Sequence, residues 1–153
     1  MPEAKVIWTS GKQFVAESGS GHALVLDASP EVAGRSTGAT PMELLLLALA
    51  GCTGIDVVFI LVDRMKKPLS GLSVEVSGQR SENPPKVYTE IDVTYRLRGA
   101  GLEEKDALRA ISLSAEKYCS VSAMLERTAT IRSHYEIVDE RSGEAVRGTL
   151  PRE

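Results

Sequence analysis

Cysteine is rare in this chain, two in 153 residues, too few for the disulfide framework of a small secreted scaffold. Aromatic residues are scarce as well, at 5%, so aliphatic side chains must fill the core. Neither sign of charge dominates: 18 Lys and Arg face 21 Asp and Glu, a net charge of −3 with no long run of either kind. That balance gives no electrostatic footprint for nucleic acid, and none is expected as a partner. The opening MPEAKVIWTS lacks the basic flank and continuous apolar stretch of a secretory signal, which points to a cytoplasmic location with reduced thiols. No CxxC, HxxxH, P-loop or GxGxxG spacing is present, so neither a metal nor a bound cofactor is expected. What remains, 42% hydrophobic and 25% charged, is the composition of one ordinary globular domain over residues 1–153.

The long apolar segment Leu44 to Val62 is the conspicuous feature of the pattern. It could cross a bilayer by length, yet Asp56 lies inside it, small polar residues interrupt it, and no aromatic belt flanks it, so no membrane role is expected. Thr40-Pro41-Met42-Glu43 writes a helix start, with Thr at the N-cap, Pro at the first helical position and Glu two residues later. Arg64, Lys66, Lys67 and Pro68 mark its end, near Lys67. A helix apolar on nearly every side must be wrapped by its own protein or by a partner chain.

Around this helix the chain reads as short strands. Val6 to Trp8, Gln13 to Glu17 and His22 to Asp27, separated by Ser/Gly turns, form an antiparallel meander. Leu72 to Val76 and Val87 to Arg98 alternate apolar and polar residues and form a hairpin. Leu102 to about Tyr118 is an amphipathic helix with Leu108, Ile111, Ala115 and Tyr118 on one stripe, Ser120 to Arg127 a shorter one, and Ile131 to Val138 a closing strand. The order βββ–α–ββ–αα–β lacks strand–helix alternation, so the class is α+β.

Cys52 and Cys119 are the reactive side chains of interest. Cys52 sits mid-helix among Ala48, Ala50, Gly51 and Gly54, which leave room beside its sulfur, and Cys119 ends an amphipathic helix. Free cysteine also serves as a small hydrophobe, and position alone leaves packing and chemistry both open. The two histidines, His22 after a Ser-Gly turn and His134 between Ser133 and Tyr135, read as surface residues.

GATPMELLLLALAGCTGIDVV followed by EKYCSVSAML resembles the two cysteine signatures of the OsmC/Ohr family of peroxide-stress proteins, and within it the YhfA-like branch. The resemblance continues through the meander, the hairpin and the last strand. It implies an OsmC-like fold, with antiparallel sheets wrapped around a long central helix in an intertwined homodimer. It also implies thiol-dependent reduction of organic hydroperoxides, with Cys52 in the peroxidatic place, Cys119 in the resolving place and an external dithiol as reductant. Leu45, Leu49, Ile55 and Phe59 then line the substrate site.

Two positions depart from the pattern of the peroxidase branches. Met42 stands where their catalytic Glu stands, and Glu43 comes one residue late. Nine residues at about 100° each put Glu43 half a turn away from Cys52, so the capping box explains it better. Their Gly-Gly-Arg turn is Ser10-Gly11-Lys12 here, leaving Lys12 and Arg35 as the cations that could assist a thiolate. Asp56, one turn after Cys52, opposes a thiolate unless a cation neutralises it. The alternative function is a non-peroxidatic binding protein that holds a small apolar or thiol-reactive ligand at the dimer interface.

Overall fold

A computed structural model describes Met1 and residues 3–151. The chain divides into two compact units, one spanning Met1–Leu45 and the other beginning at Leu46. Its class is α+β.

The first unit holds a three-stranded antiparallel sheet in the order β1 (Ala4–Ser10), β2 (Gln13–Ser18), β3 (Ala23–Leu26). Gly11 supplies the positive φ (+56°) at the tip of the first hairpin, a conformation most side chains avoid. The loop after β3 is organised by Asp27. Its carboxylate accepts hydrogen bonds from Thr37 Oγ1 at 2.7 Å, Ala28 N at 2.8 Å, Thr37 N at 3.1 Å and Arg35 N at 3.2 Å. These donors, led by the Thr37 hydroxyl, hold the Asp27 carboxyl down at about 2. The helix α1 (Pro41–Val58) then starts on the expected capping box: Glu43 N donates to Thr40 Oγ1 at 3.2 Å and Thr40 N donates to Glu43 Oε2 at 2.7 Å.

Beyond Val58 the helix widens into π-helical turns over Phe59–Arg64, and Lys66, with φ of +55°, ends the helical path two residues before Pro68. The helix is therefore regular for a shorter distance than its sequence pattern suggests. By length and composition, Pro41–Arg64 could span a membrane. Within the second unit α1 buries Leu49, Thr53 and Val57, and the π-helical turns bury Ile60 and Leu61.

That unit's sheet has the order β4 (Gly71–Arg80), β5 (Tyr88–Gly99), β6 (Thr130–Asp139), β7 (Ala145–Thr149). On β5 the inward positions are Ile91, Val93, Tyr95 and Leu97, as the alternation predicts. Val87 and Thr89 depart from it: a register irregularity at Gln79/Arg80 shifts the pairing, and Tyr88 turns inward instead. The antiparallel expectation fails for one pair, since β5 and β6 run parallel. The helical connection between them, α2 (Glu104–Leu113), a π-helical turn (Ser114–Tyr118) and α3 (Ser120–Leu125), carries the chain back to the end where β5 began. The buried side of α2 is Asp106, Ala107, Ala110 and Ile111, while Leu108 is only half-buried and Tyr118 is exposed. Asp106 is tolerated inside because Lys67 Nζ reaches its carboxylate at 2.7 Å. Strand β7 has no counterpart in the sequence reading; it is five residues long and enters from a turn at Gly143 (φ +76°).

Candidate functional site

Helical spacing puts Cys52 and Asp56 on one face of α1, and Cys119 is delivered to them by the break between the π-helical turn and α3. The two sulfurs and one carboxylate oxygen of Asp56 all lie within 4.8 Å of one another. Both cysteines are free. Cys52 is half-buried, whereas Cys119 is enclosed at 3% exposure. Cys119 also caps α3: its extended backbone (φ −71°, ψ 100°) starts the helix, and its Sγ accepts from Ser122 N at 3.4 Å. Burial pushes the Cys119 thiol up from its ordinary value, and the neighbouring Cys52 adds to that against the opposing effect of Ser122. Of the two sulfurs, that of Cys52 is thus the more accessible to solvent.

Behind the thiols runs a buried line of hydroxyls. Ser114 Oγ donates to Asp56 Oδ2 at 2.9 Å, Thr53 Oγ1 lies 2.8 Å from Ser114 Oγ, and Tyr95 OH lies 2.7 Å from Thr53 Oγ1. Thr53, Ser114 and Tyr95 are each at most 2% exposed. Each hydroxyl has one proton, so the direction is determined: with Ser114 donating to Asp56, Thr53 donates to Ser114 and Tyr95 to Thr53. Burial pushes the Tyr95 phenol up to about 12, which keeps it a neutral donor. Tyr95 also faces a cavity of about 420 Å³ that Ser112, Ser122 and Ser133 help to line.

The chain's residues 34–134 match the sequence profile of the OsmC-like protein family. This chain belongs to the OsmC-like family. Protein YhfA of Escherichia coli K12 is 37% identical to this OsmC-like chain, over 89% of it and 98% of YhfA. Among solved structures, a hypothetical protein of Aquifex aeolicus VF5 superposes with a TM-score of 0.80 at 31% identity, covering 92% of this chain and 98% of its own. The organic hydroperoxide resistance protein OsmC of Legionella pneumophila shares the fold, with a TM-score of 0.65 at 18% identity, covering 91% and 96% of the two chains.

The other residues singled out in the OsmC-like sequence are placed as follows. Lys12 and Arg35 belong to the N-terminal unit, where each already has partners: Lys12 Nζ donates to Val32 O, and Arg35 Nη2 donates to Ser10 Oγ at 2.7 Å. The Arg35 guanidinium lies beside Gly11 at the tip of the first hairpin. Leu45 also falls in the N-terminal unit and is exposed. Leu49 is enclosed in the core, while Ile55 and Phe59 line an open apolar groove of about 730 Å³ together with Leu47, Val58, Leu72 and Val74. His134 bonds to Asp92 Oδ1 and Thr149 Oγ1, and His22 to Ser20 Oγ. Thr53, Ser114 and Tyr95 were not foreseen as site residues. Their one signal was a hydroxyl at an inward-facing position, which becomes informative only when the opposing elements are known.

Proposed function

We propose that the protein reduces organic hydroperoxides through Cys52 and Cys119, in defence against oxidative stress. The observation that supports this most directly is the approach of the two sulfurs to within 4.8 Å, one half-buried and the other enclosed. A Cys52 thiolate attacks one peroxide oxygen, the O–O bond breaks, and the departing alkoxide takes a proton to leave as the alcohol, so that Cys52 becomes a sulfenic acid. Cys119 then attacks the Cys52 sulfur, the S–S bond forms, and the hydroxyl leaves as water. Over the cycle one hydroperoxide and two thiols give one disulfide, one alcohol and one water. An external dithiol restores the pair by exchange.

In this reading Arg35 is the cation that assists the thiolate, ahead of Lys12, because a guanidinium offers a forked contact to a peroxide oxygen. The chain acts as a single domain in a cytoplasmic homodimer. The second copy covers the groove beside α1, where Ile55 is 72% and Leu47 60% exposed, a degree of apolar exposure that a monomer rarely leaves uncovered. Light scattering is expected to give twice the chain mass, and a well-folded monomer at micromolar concentration contradicts this part.

Peroxide consumption in the presence of a dithiol tests the activity. Wild type is expected to turn over, Cys52→Ser to be inactive, and Cys119→Ser, given peroxide without the dithiol, to consume one equivalent and hold a trappable sulfenic acid. A wild-type rate no faster than that of free cysteine, or full turnover by Cys52→Ser, rejects the reading.

A further inference from the structure

The proposed peroxide chemistry uses two sulfurs and leaves the third member of the cluster without a task. Asp56 adds a carboxylate to a half-enclosed place that already holds two thiols. When ionised, all three groups carry negative charge. Among the described residues Asp56 enters no ion pair. As thiols the two sulfurs are neutral beside the carboxylate, and a thiophilic cation that displaces their protons is held by the three negative groups that result.

A second observation is independent of the first. The hydroxyl line Tyr95 to Thr53 to Ser114 ends on one oxygen of Asp56 and orients it, while the other carboxylate oxygen has no hydrogen bond among the described residues. Carboxylates that bind metal are held in this way, with one oxygen fixed by an outer donor and the other presented to the ion. Ser122 N, donating to Cys119 Sγ, gives a similar outer support to one sulfur.

We propose that Cys52, Cys119 and Asp56 form a binding site for a thiophilic divalent cation, zinc in the first instance, whose fourth position is open to water. Zn–S bonds of about 2.3 Å and Zn–O bonds of about 2.0–2.2 Å place the donor atoms of a tetrahedral site about 3.6–3.8 Å apart. Donor atoms within 4.8 Å of one another therefore need to close by no more than about 1.2 Å. Binding displaces the two thiol protons to solvent and forms two Zn–S bonds and one Zn–O bond; nothing is oxidised or reduced. The site was hidden from motif reading because two ligands are four residues apart on one helix and the third is brought in by a distant element. It goes beyond the peroxide reading and has a regulatory consequence for it. An ion held by both sulfurs excludes the disulfide, and oxidation of the pair releases the ion.

The test is a titration of the reduced full-length protein with zinc against a chromogenic chelator, and with cadmium followed by its thiolate charge-transfer absorption in the ultraviolet. One equivalent per chain is expected. Cys52→Ser and Cys119→Ser are each expected to abolish the tight phase, and Asp56→Asn, which still accepts from Ser114, to weaken zinc at least 10-fold. Ser114→Ala is expected to weaken it less, with circular dichroism confirming that each variant is folded. Absence of the cadmium band in wild type overturns the proposal. So does zinc affinity unchanged in Asp56→Asn, which reduces the site to an adventitious dithiol complex. The metal-free protein assayed with peroxide reports on the peroxidase reading separately, so either can fail alone.

Discussion

Trp8 and Tyr95 each sit within a β-strand, yet Trp8 is 64% exposed and Tyr95 is 2% exposed. The contrast holds for the two units around them. In the N-terminal sheet every residue of β1 is exposed, including Val6 and Ile7, and the unit's order rests on hairpin pairing, the four hydrogen bonds to Asp27 and the capping box. The second unit rests on burial: α1, α2 and β5 bring Leu49, Val57, Ile91, Leu97 and Ile111 out of water and enclose a line of hydroxyls with them. A hydrogen-bonded frame can be completed by a neighbouring chain, whereas a packed core requires none. The candidate cysteine pair lies in the unit with the packed core, whose α1 nevertheless keeps one open apolar side.

The largest effect expected from this contrast comes from cavity formation. Ile111→Ala should lower stability by about 2–5 kcal/mol in denaturant unfolding, while Trp8→Ser, on an exposed face, should stay within about 0.5 kcal/mol. A Trp8 effect of several kcal/mol breaks the comparison and shows that a second chain covers the sheet. Next comes Thr53→Val, which keeps shape but leaves the Tyr95 hydroxyl and Ser114 each without one hydrogen-bond partner. A loss of about 1–3 kcal/mol is expected, and a neutral result shows that the hydroxyl line contributes no net stability. Thr40→Ala removes a helix cap and should cost about 1 kcal/mol; it sharpens the contrast by testing the frame rather than the core.

The most confined effect is with pH. Asp27 titrates at about 2 when folded, below its ordinary value of 3.8, so its stabilising contribution is complete above the ordinary value and is lost as pH falls through about 2. Trp8 is the single tryptophan and lies in the same unit, so its fluorescence reports on the unit directly. Between pH 5 and pH 2, wild type should converge on Asp27→Asn, and parallel titration curves for the two contradict the assignment.

Sequence alone determined the parts of this protein that depend on neighbours along the chain. The capping box at Thr40 and Glu43, the inward series Ile91, Val93, Tyr95 and Leu97, and the apolar character of α1 all follow from helical or strand periodicity, which residue spacing encodes directly. The two cysteine-bearing segments were sufficient to indicate the family. Tertiary structure alone decided which side of α1 stays open, because apolar residues on every side carry no periodic signal about which of them is covered. It also decided that β6 lies parallel to β5, since that depends on where the intervening helices return the chain. Finally, it changed the meaning of Asp56, which in sequence is an isolated charge in an apolar run. Only when Ser114 and Tyr95 arrive from other elements and join Thr53 of α1 does its carboxylate become an oriented acceptor beside two sulfurs, and such a meeting depends on contacts between residues far apart in the chain.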